Sequence, residues 1–171
     1  GDEPVRVREF DRPGRAGSGH RCRARRGLSD ALPAATAVLF RPAAAGPPEL
    51  LTVERNRTLA FAGGATVFPG GRVDPGDVAL ARELATDDLD DTAARVAAVR
   101  ETLEEVGLPI GFATVPDADA LAGMRAALHA GEPFGSVLSR FGVTLALDRL
   151  VPFARWRPDH PVTRAFDTRF Y

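Results

Sequence analysis

Three glutamates near the end of one predicted helix have the residue type and the spacing to bind a metal ion. Residues 92–106 show helical periodicity, and Glu101, Glu104 and Glu105 lie at positions i, i+3 and i+4. These positions are neighbours on one face of an α-helix. Carboxylates so close together repel one another, and Mg²⁺, which requires hard oxygen ligands, removes that repulsion. A solvated acidic face is the alternative interpretation of the helix taken alone.

The sequence around these glutamates contains a recognisable motif. Residues 100–108 read Arg-Glu-Thr-Leu-Glu-Glu-Val-Gly-Leu, which resembles the second half of the Nudix hydrolase signature, with Thr102 as its one weak position. The first half requires Gly, five residues and Glu, and here Gly71 is followed by Asp77. Asp77 lies 23 residues before Arg100 instead of eight, so the resemblance implies an insertion of about 15 residues inside the motif. We do not assign Asp77 to the site, because the insertion could move it away from the helix.

The residues before the motif resemble one branch of this family. Phe68-Pro69-Gly70-Gly71 is similar to the start found in coenzyme A (CoA) and acyl-CoA diphosphatase-like members, which carry insertions inside the box. The upstream residues that resemble the CoA-recognition motif are Leu50, Leu51, Thr52, Arg55, Leu59 and Gly64. Ala60 stands where that motif has Arg, and the spacing from Thr52 to Arg55 differs by one residue. These departures concern CoA specificity rather than pyrophosphatase chemistry.

The resemblance implies a role for each residue of the motif. Glu104 and Glu105 would be the main ligands of Mg²⁺ or Mn²⁺, and Glu101 would be a ligand or would orient the nucleophilic water. Arg100 would hold a glutamate side chain through a bidentate pair. A backbone carbonyl of the glycine pair, assigned to Gly71, would complete the metal shell, since glycine allows close approach. The implied catalytic residues are therefore Glu101, Glu104 and Arg100.

Residues outside the carboxylate cluster are candidates for binding substrate. Arg55 and Arg57 precede the Pro-Gly-Gly segment and could reach substrate phosphates together with Gly70; a solvated strand edge is the alternative for the two arginines. Trp156 and Phe153 could stack on a base, but we favour core packing for both.

The histidines receive no role in the site. We interpret His129, in a predicted helix, as an ordinary, partly exposed side chain. His160 lies in a proline-flanked loop, and we interpret it as a surface residue.

The surrounding pattern predicts an α/β (α+β) chain with the Nudix fold, a mixed β-sheet sandwiched between α-helices. Helix 92–106 is capped by Asp90 or Asp91 and ends at Gly107. Its predicted apolar stripe is Val96, Val99, Leu103 and Val106. Strands are predicted at 35–40, 49–55 and 65–68, the last closed by a Pro69-Gly70-Gly71 turn; helices at 78–85, 117–129 and 133–141; and a β-like segment at 150–171.

Two regions depart from the smallest members of the family. The helical stretch 116–142 is an insertion, either a lid or packing around the sheet. No helix follows the strand-like residues 164–171 to cover the second face of the sheet, so we expect the C-terminal part to be missing. If nothing follows Tyr171, the exposed face predicts a homodimer or a larger oligomer.

Composition excludes several functional classes. The net charge of −1 gives no basic field for nucleic acid or an anionic membrane. The single cysteine, Cys22, excludes an internal disulfide framework. Since there is also no apolar run of about 18 residues and no signal peptide, we expect a cytoplasmic protein. Residues 1–27 read as an Arg-rich, loosely attached arm, and residues 28–171 as the Nudix domain.

The predicted function is Mg²⁺-dependent hydrolysis of a pyrophosphate bond. The substrate would be a small-molecule nucleoside-diphosphate derivative, with CoA and acyl-CoA as candidates. The alternative is a catalytically inactive Nudix-like module for ligand sensing or protein binding. The intact Glu101, Glu104 and Glu105 favour the enzyme, whereas Asp at position 77 favours the inactive module.

Overall fold

The computed structural model describes residues 31–54, 64–158 and 165–171 of the 171-residue chain. The predicted arm at 1–27, the candidate residues Arg55 and Arg57, and His160 lie outside the described residues. Of the helices that are described, none is both long enough and apolar enough to cross a membrane.

The strands of the described residues are short and form a mixed sheet with two small pairs beside it. In chain order they are β1 (Leu32–Thr36), β2 (Phe40–Arg41), β3 (Glu49–Leu50), β4 (Val53–Glu54), β5 (Thr66–Val67), β6 (Gly70–Arg72), β7 (Ala154–Trp156) and β8 (Phe166–Phe170). The main sheet has the order β6-β1-β8-β7. Strand β1 is parallel to β8 and antiparallel to β6, and β7 is antiparallel to β8. The pairs β2–β3 and β4–β5 are antiparallel.

In the described part of the chain, four α-helices and one 3₁₀ turn accompany the sheet. They are α1 (Pro75–Glu83), α2 (Leu89–Val106), α3 (Ala118–His129), α4 (Phe134–Phe141) and the 3₁₀ turn Leu147–Arg149. Helix α2 ends at Gly107, whose φ of 72° is left-handed, as the sequence predicted. The prediction of its cap was wrong: Asp88 caps α2, accepting a hydrogen bond from the Asp91 amide. The side chain of Asp91 is instead used in tertiary contacts.

The core lies between the helices and the sheet. Helix α2 and the helices packed on it form one side, and strands β1 and β6 form the other. Val96, Val99 and Leu103 of the predicted apolar stripe are fully buried. Removing each such side chain from water contributes about 1.5 to 3 kcal/mol. The buried residues that α3 and α4 add to this core are Met124, Ala127, Leu128, Phe134, Val137 and Leu138. Region 116–142 therefore supplies packing, and it packs on α1 and α2 rather than around the sheet.

The two faces of the main sheet differ. Ala35 faces α2 and is fully buried, and α1, α3 and α4 pack on α2 or on one another. On the opposite face Leu32 and Trp156 are 38% and 41% exposed. Among the described helices, none packs on this second face.

Four further expectations about local structure were wrong. The described part of the single strand predicted at 49–55 contains two strands, β3 and β4, which belong to different pairs. Gly70 and Gly71 were predicted in a turn but lie in β6, paired with β1. The strand predicted at 35–40 begins at Leu32 and is interrupted after Thr36. Phe153 and Trp156 were assigned to the core but are exposed; Trp156 lies on the edge strand β7, and Phe153 directly precedes that strand.

Candidate active site

Glu101 projects from α2 onto the glycine strand β6. A β-carbon added at Gly71 would overlap Oε1 and Cδ of Glu101, so the absence of a side chain there makes room for this carboxylate. The register explains the position, because Gly71 pairs with Ala35, whose side chain faces α2. The Glu101 side chain is 17% exposed. The helix and the strand thus enclose one carboxylate between them.

The electrostatic environment of Glu101 favours its protonated form. Burial raises the pKa of this carboxyl, the charge of Arg100 opposes the shift, and the charge of Glu104 adds to it. The result is a pKa of about 7. A nearby cation would reverse the balance, because positive charge stabilises the ionised form.

Arg100 connects the two halves of the motif. Its Nε and Nη2 donate to Oδ1 and Oδ2 of Asp77, both at 2.9 Å, and Asp77 is 1% exposed. Asp77 also accepts from the Asp74 amide at 2.8 Å in the capping box of α1. The predicted bidentate pair therefore exists, but its partner is Asp77 and not a glutamate. Burial alone would lower the pKa of Arg100, but the bonds and charge of Asp77 outweigh it and hold that pKa above its ordinary value.

The third nitrogen of Arg100 faces the glutamates. Nη1 lies 3.0 Å from Glu101 Oε1 and 3.6 Å from Glu104 Oε2. From β6, the Gly70 amide donates to Glu105 Oε2 at 3.1 Å. Gly70 approaches β1 so closely that an added β-carbon would overlap the Ala35 carbonyl oxygen. Side chains and backbone from β6 and α2 therefore surround the carboxylates.

Helix α3 reaches the same end of α2. Arg125 donates from Nε to the Glu104 carbonyl at 2.8 Å and from Nη2 to the Glu105 carbonyl at 2.9 Å. His129, one turn later, places Nδ1 3.8 Å from Glu104 Oε1, although its side chain is 55% exposed. Sequence reasoning assigned neither residue to the site. Their i, i+4 spacing on one helix was the available signal.

The donor chemistry of this cluster fits a divalent cation. Three carboxylates share one end of α2, and the neighbouring charge of Glu104 contributes to the raised pKa of Glu101; a hard cation relieves such crowding. In the described residues, however, no three acidic, histidine or cysteine side chains already surround a common point. Arg100 and the Gly70 amide hold the carboxylates instead. Metal binding would thus require these side chains to turn away from their present donors.

The structure brings together most of the residues predicted for the site. Glu101, Glu104, Glu105, Arg100, Gly70 and Gly71 all lie at the junction of α2 and β6. Arg55 and Arg57 fall outside the described residues. Asp77, Arg125 and His129 join the cluster from α1 and α3.

Comparison with known proteins supports the fold and the family. The crystal structure of the Nudix hydrolase from Alicyclobacillus acidocaldarius is similar, with 32% sequence identity and a TM-score of 0.71. The match covers 84% of this chain and 69% of that chain. No family model and no curated protein matches the chain. The predicted α+β fold, a mixed sheet with accompanying helices, is confirmed by this neighbour.

Proposed function

This chain belongs to the Nudix hydrolase family and is a hydrolase, and we propose that it cleaves the pyrophosphate bond of a nucleoside diphosphate linked to another moiety. The proposed cofactor is Mg²⁺ or Mn²⁺. One observation carries the proposal: Glu101, Glu104 and Glu105 lie at the same end of α2, beside the glycine strand β6. Such a cluster of hard oxygen donors suits a cation that also binds phosphate oxygens.

The proposed roles follow from position. Glu104 and Glu105, the more exposed carboxylates, would hold the metal, and the enclosed Glu101 would bind it or orient the attacking water. Arg100 fixes Glu101, because its other two nitrogens are anchored on Asp77. When bound, the cation supplies charge neutralisation and a lowered pKa for bound water.

The reaction balances as a simple hydrolysis. The oxygen of water forms a bond to one phosphorus, and the bond from that phosphorus to the bridging oxygen breaks. The bridging oxygen keeps the electron pair and leaves on the second phosphate. The products are two phosphate monoesters, and each receives one hydrogen of the water, which it largely loses to solvent at neutral pH.

CoA and acyl-CoA are the proposed substrates, on the strength of the residues before the motif. A panel of CoA, acyl-CoAs, ADP-ribose, NADH, diadenosine polyphosphates and nucleotide sugars would test this, with products separated by chromatography. Cleavage of CoA to a 3′,5′-bisphosphate and phosphopantetheine is the expected result. Cleavage of another member instead would keep the pyrophosphohydrolase and discard CoA.

One observation favours the second candidate, an inactive Nudix-like module for ligand sensing or protein binding. In the described part of the chain, the carboxylates are held by protein donors, and no ready-made group of three ligands exists. The same panel separates the two functions. A protein that binds a member of the panel but cleaves none with Mg²⁺ or Mn²⁺ would be such a module.

A further inference from the structure

The C-terminal turn of α2 carries the candidate ligands and is also where a helix is weakest. The last carbonyls of a helix lack intrahelical partners, so this turn tends to fray. The Leu103 carbonyl accepts from the Gly107 amide at 2.9 Å. The next two carbonyls belong to Glu104 and Glu105, and the last turn of α2 contains no basic residue of its own.

Arg125 of α3 fills this gap. Its guanidinium donates to the Glu104 carbonyl at 2.8 Å and to the Glu105 carbonyl at 2.9 Å. One planar, rigid group thus holds two consecutive peptide units, which the single ammonium of a lysine would match less well. The two residues held are the pair whose side chains we assign to the metal.

Helix α3, which carries Arg125, is closely packed against the rest of the protein. The preceding residue, Met124, is fully buried, and Leu128 is 6% exposed, so α3 is anchored in the core. Gly123 allows Phe141 of α4 to pack directly on α3, since an added β-carbon would lie 2.9 Å from its ring. The guanidinium is therefore presented from a fixed helix and not from a loop.

The charge of Arg125 also suits its position. The C-terminus of a helix has partial negative charge, and here three carboxylates lie beside it. A cation on the carbonyl side lowers this repulsion without occupying the oxygens that a metal would use. Hydrogen bonds to Oε atoms, by contrast, would have to be broken when a metal binds.

We propose that Arg125 is a positioning residue, which orders the last turn of α2 so that Glu104 and Glu105 are aligned for the metal. The proposal rests on the proposed function of this site. Arg125 contacts the backbone of the two glutamates and acts through them. Residues that orient ligands in this way typically change metal affinity by about 10- to 100-fold when replaced.

The test compares Arg125→Ala and Arg125→Lys with wild type, and Arg149→Lys is the matched control. Arg149 donates from Nη1 to the Phe112 carbonyl at 2.8 Å, a similar bond to a peptide that bears none of the site carboxylates. Binding of Mn²⁺ alone is measured by electron paramagnetic resonance, without substrate. Amide hydrogen exchange at residues 106–108 is measured in the metal-free protein.

We expect Arg125→Ala to weaken Mn²⁺ binding by about 10-fold or more and to speed exchange at residues 106–108. Arg125→Lys, which should retain the charge and one bond, is expected to lie between wild type and Arg125→Ala. Arg149→Lys should bind Mn²⁺ like wild type. In turnover, the metal concentration for half-maximal rate should rise more than kcat at saturating metal falls.

Two results would overturn the proposal, and they differ. If wild type binds Mn²⁺ and both variants bind it as tightly as wild type does, Arg125 has no positioning role. The proposed function then still stands. If wild type itself binds no Mn²⁺ and cleaves no pyrophosphate substrate, the proposed function fails, and the positioning role fails with it. Should Arg125→Ala not fold, the comparison of Arg125→Lys with wild type decides.

Discussion

Asp91, near the beginning of α2, and Glu101, near its end, are both partly buried carboxylates on the same helix. Asp91 accepts hydrogen bonds from Arg95 at 2.6 Å, Arg169 at 2.9 Å and the Tyr171 hydroxyl at 2.8 Å. Burial by itself would raise the pKa of Asp91, but the bonds from Arg95 and Tyr171 outweigh it and lower that pKa. This end of the helix ties β8 to α2.

At the other end of α2 the pKa of Glu101 is raised, whereas that of Asp91 is lowered. Arg100 is divided between Asp77, Glu101 and Glu104, and burial raises the pKa of Glu101 to about 7. A carboxylate stabilised by several donors serves the fold, because its charge is already compensated. Two carboxylates that share a single nitrogen of one arginine, as Glu101 and Glu104 do, are suited to bind a cation from outside. We therefore assign Asp91 a structural role and the carboxylates at the Glu101 end a functional one.

The largest predicted effect on turnover is that of Glu104→Gln, at the C-terminal end of α2. We expect turnover to fall by about a thousandfold or more, since a carboxylate ligand is lost while the metal supplies several kcal/mol of transition-state stabilisation. The fold should be unchanged. Steady-state rates and circular dichroism measure both. Glu83→Gln, at the exposed end of α1, is the control, and wild-type rates for Glu104→Gln would remove it from the site.

Gly71→Ala should have the next largest effect. The added methyl group overlaps the Glu101 carboxylate and must displace it, and a displacement of about 1 Å can cost about a hundredfold in rate. Gly76→Ala, where a β-carbon meets no atom within 4 Å, provides the control with the same chemical change. Equal rates for the two variants would show that the position of Glu101 does not matter for turnover.

Asp91→Asn, at the other end of α2, should lower the free energy of unfolding and leave turnover nearly unchanged. The neutral amide weakens the bonds to Arg95 and Arg169 and leaves their charges poorly compensated. We expect the free energy of unfolding to fall by about 2 to 3 kcal/mol in urea denaturation. Below the unfolding transition, kcat should stay within about twofold of wild type. A large loss of kcat in folded protein would contradict the division between the two ends.

The smallest predicted effect is that Glu101 and Asp91 change the stability of the fold in opposite directions as the pH rises. Because the folded-state pKa of Glu101 is raised from 4.5 to about 7, its protonated form stabilises the metal-free fold below its unfolded pKa. That contribution is lost as the pH rises through about 7. Asp91, with a lowered pKa, stabilises the fold above its unfolded pKa of 3.8 and loses its contribution as the pH falls through its folded pKa.

Urea denaturation without metal, at about pH 5 and about pH 8, tests this sign. The stability of Glu101→Gln relative to wild type should be higher at the upper pH by about 2 kcal/mol. An unchanged difference between the two pH values would show that Glu101 titrates normally in the folded protein.

The sequence predicted those features that depend on neighbours along the chain. Helical periodicity identified α2 and the shared face of its glutamates, and Gly107 identified its end. The Arg100–Asp77 pair was missed because it spans 23 residues and depends on how α1 packs on α2. Asp88 replaces Asp91 as the cap because the Asp91 side chain binds Arg169 and Tyr171, which only the fold brings near.

The contacts from α3 were missed for a related reason. The sequence marks Arg125 and His129 only as polar positions on a helix, and nothing local places that helix at the end of α2. Gly71 was assigned to the metal shell through its carbonyl, but the structure gives it a further role, since its missing side chain makes room for Glu101.

A cation site at the end of α2 is tested most simply by the metal dependence of pyrophosphate hydrolysis by the wild-type chain. The best substrate of the panel is incubated with EDTA, and Mg²⁺ or Mn²⁺ is then restored, with products followed by chromatography. If the carboxylates at the end of α2 serve a cation, hydrolysis stops with EDTA and returns with the metal. Hydrolysis that continues at the same rate in EDTA would show that these carboxylates do not serve a cation.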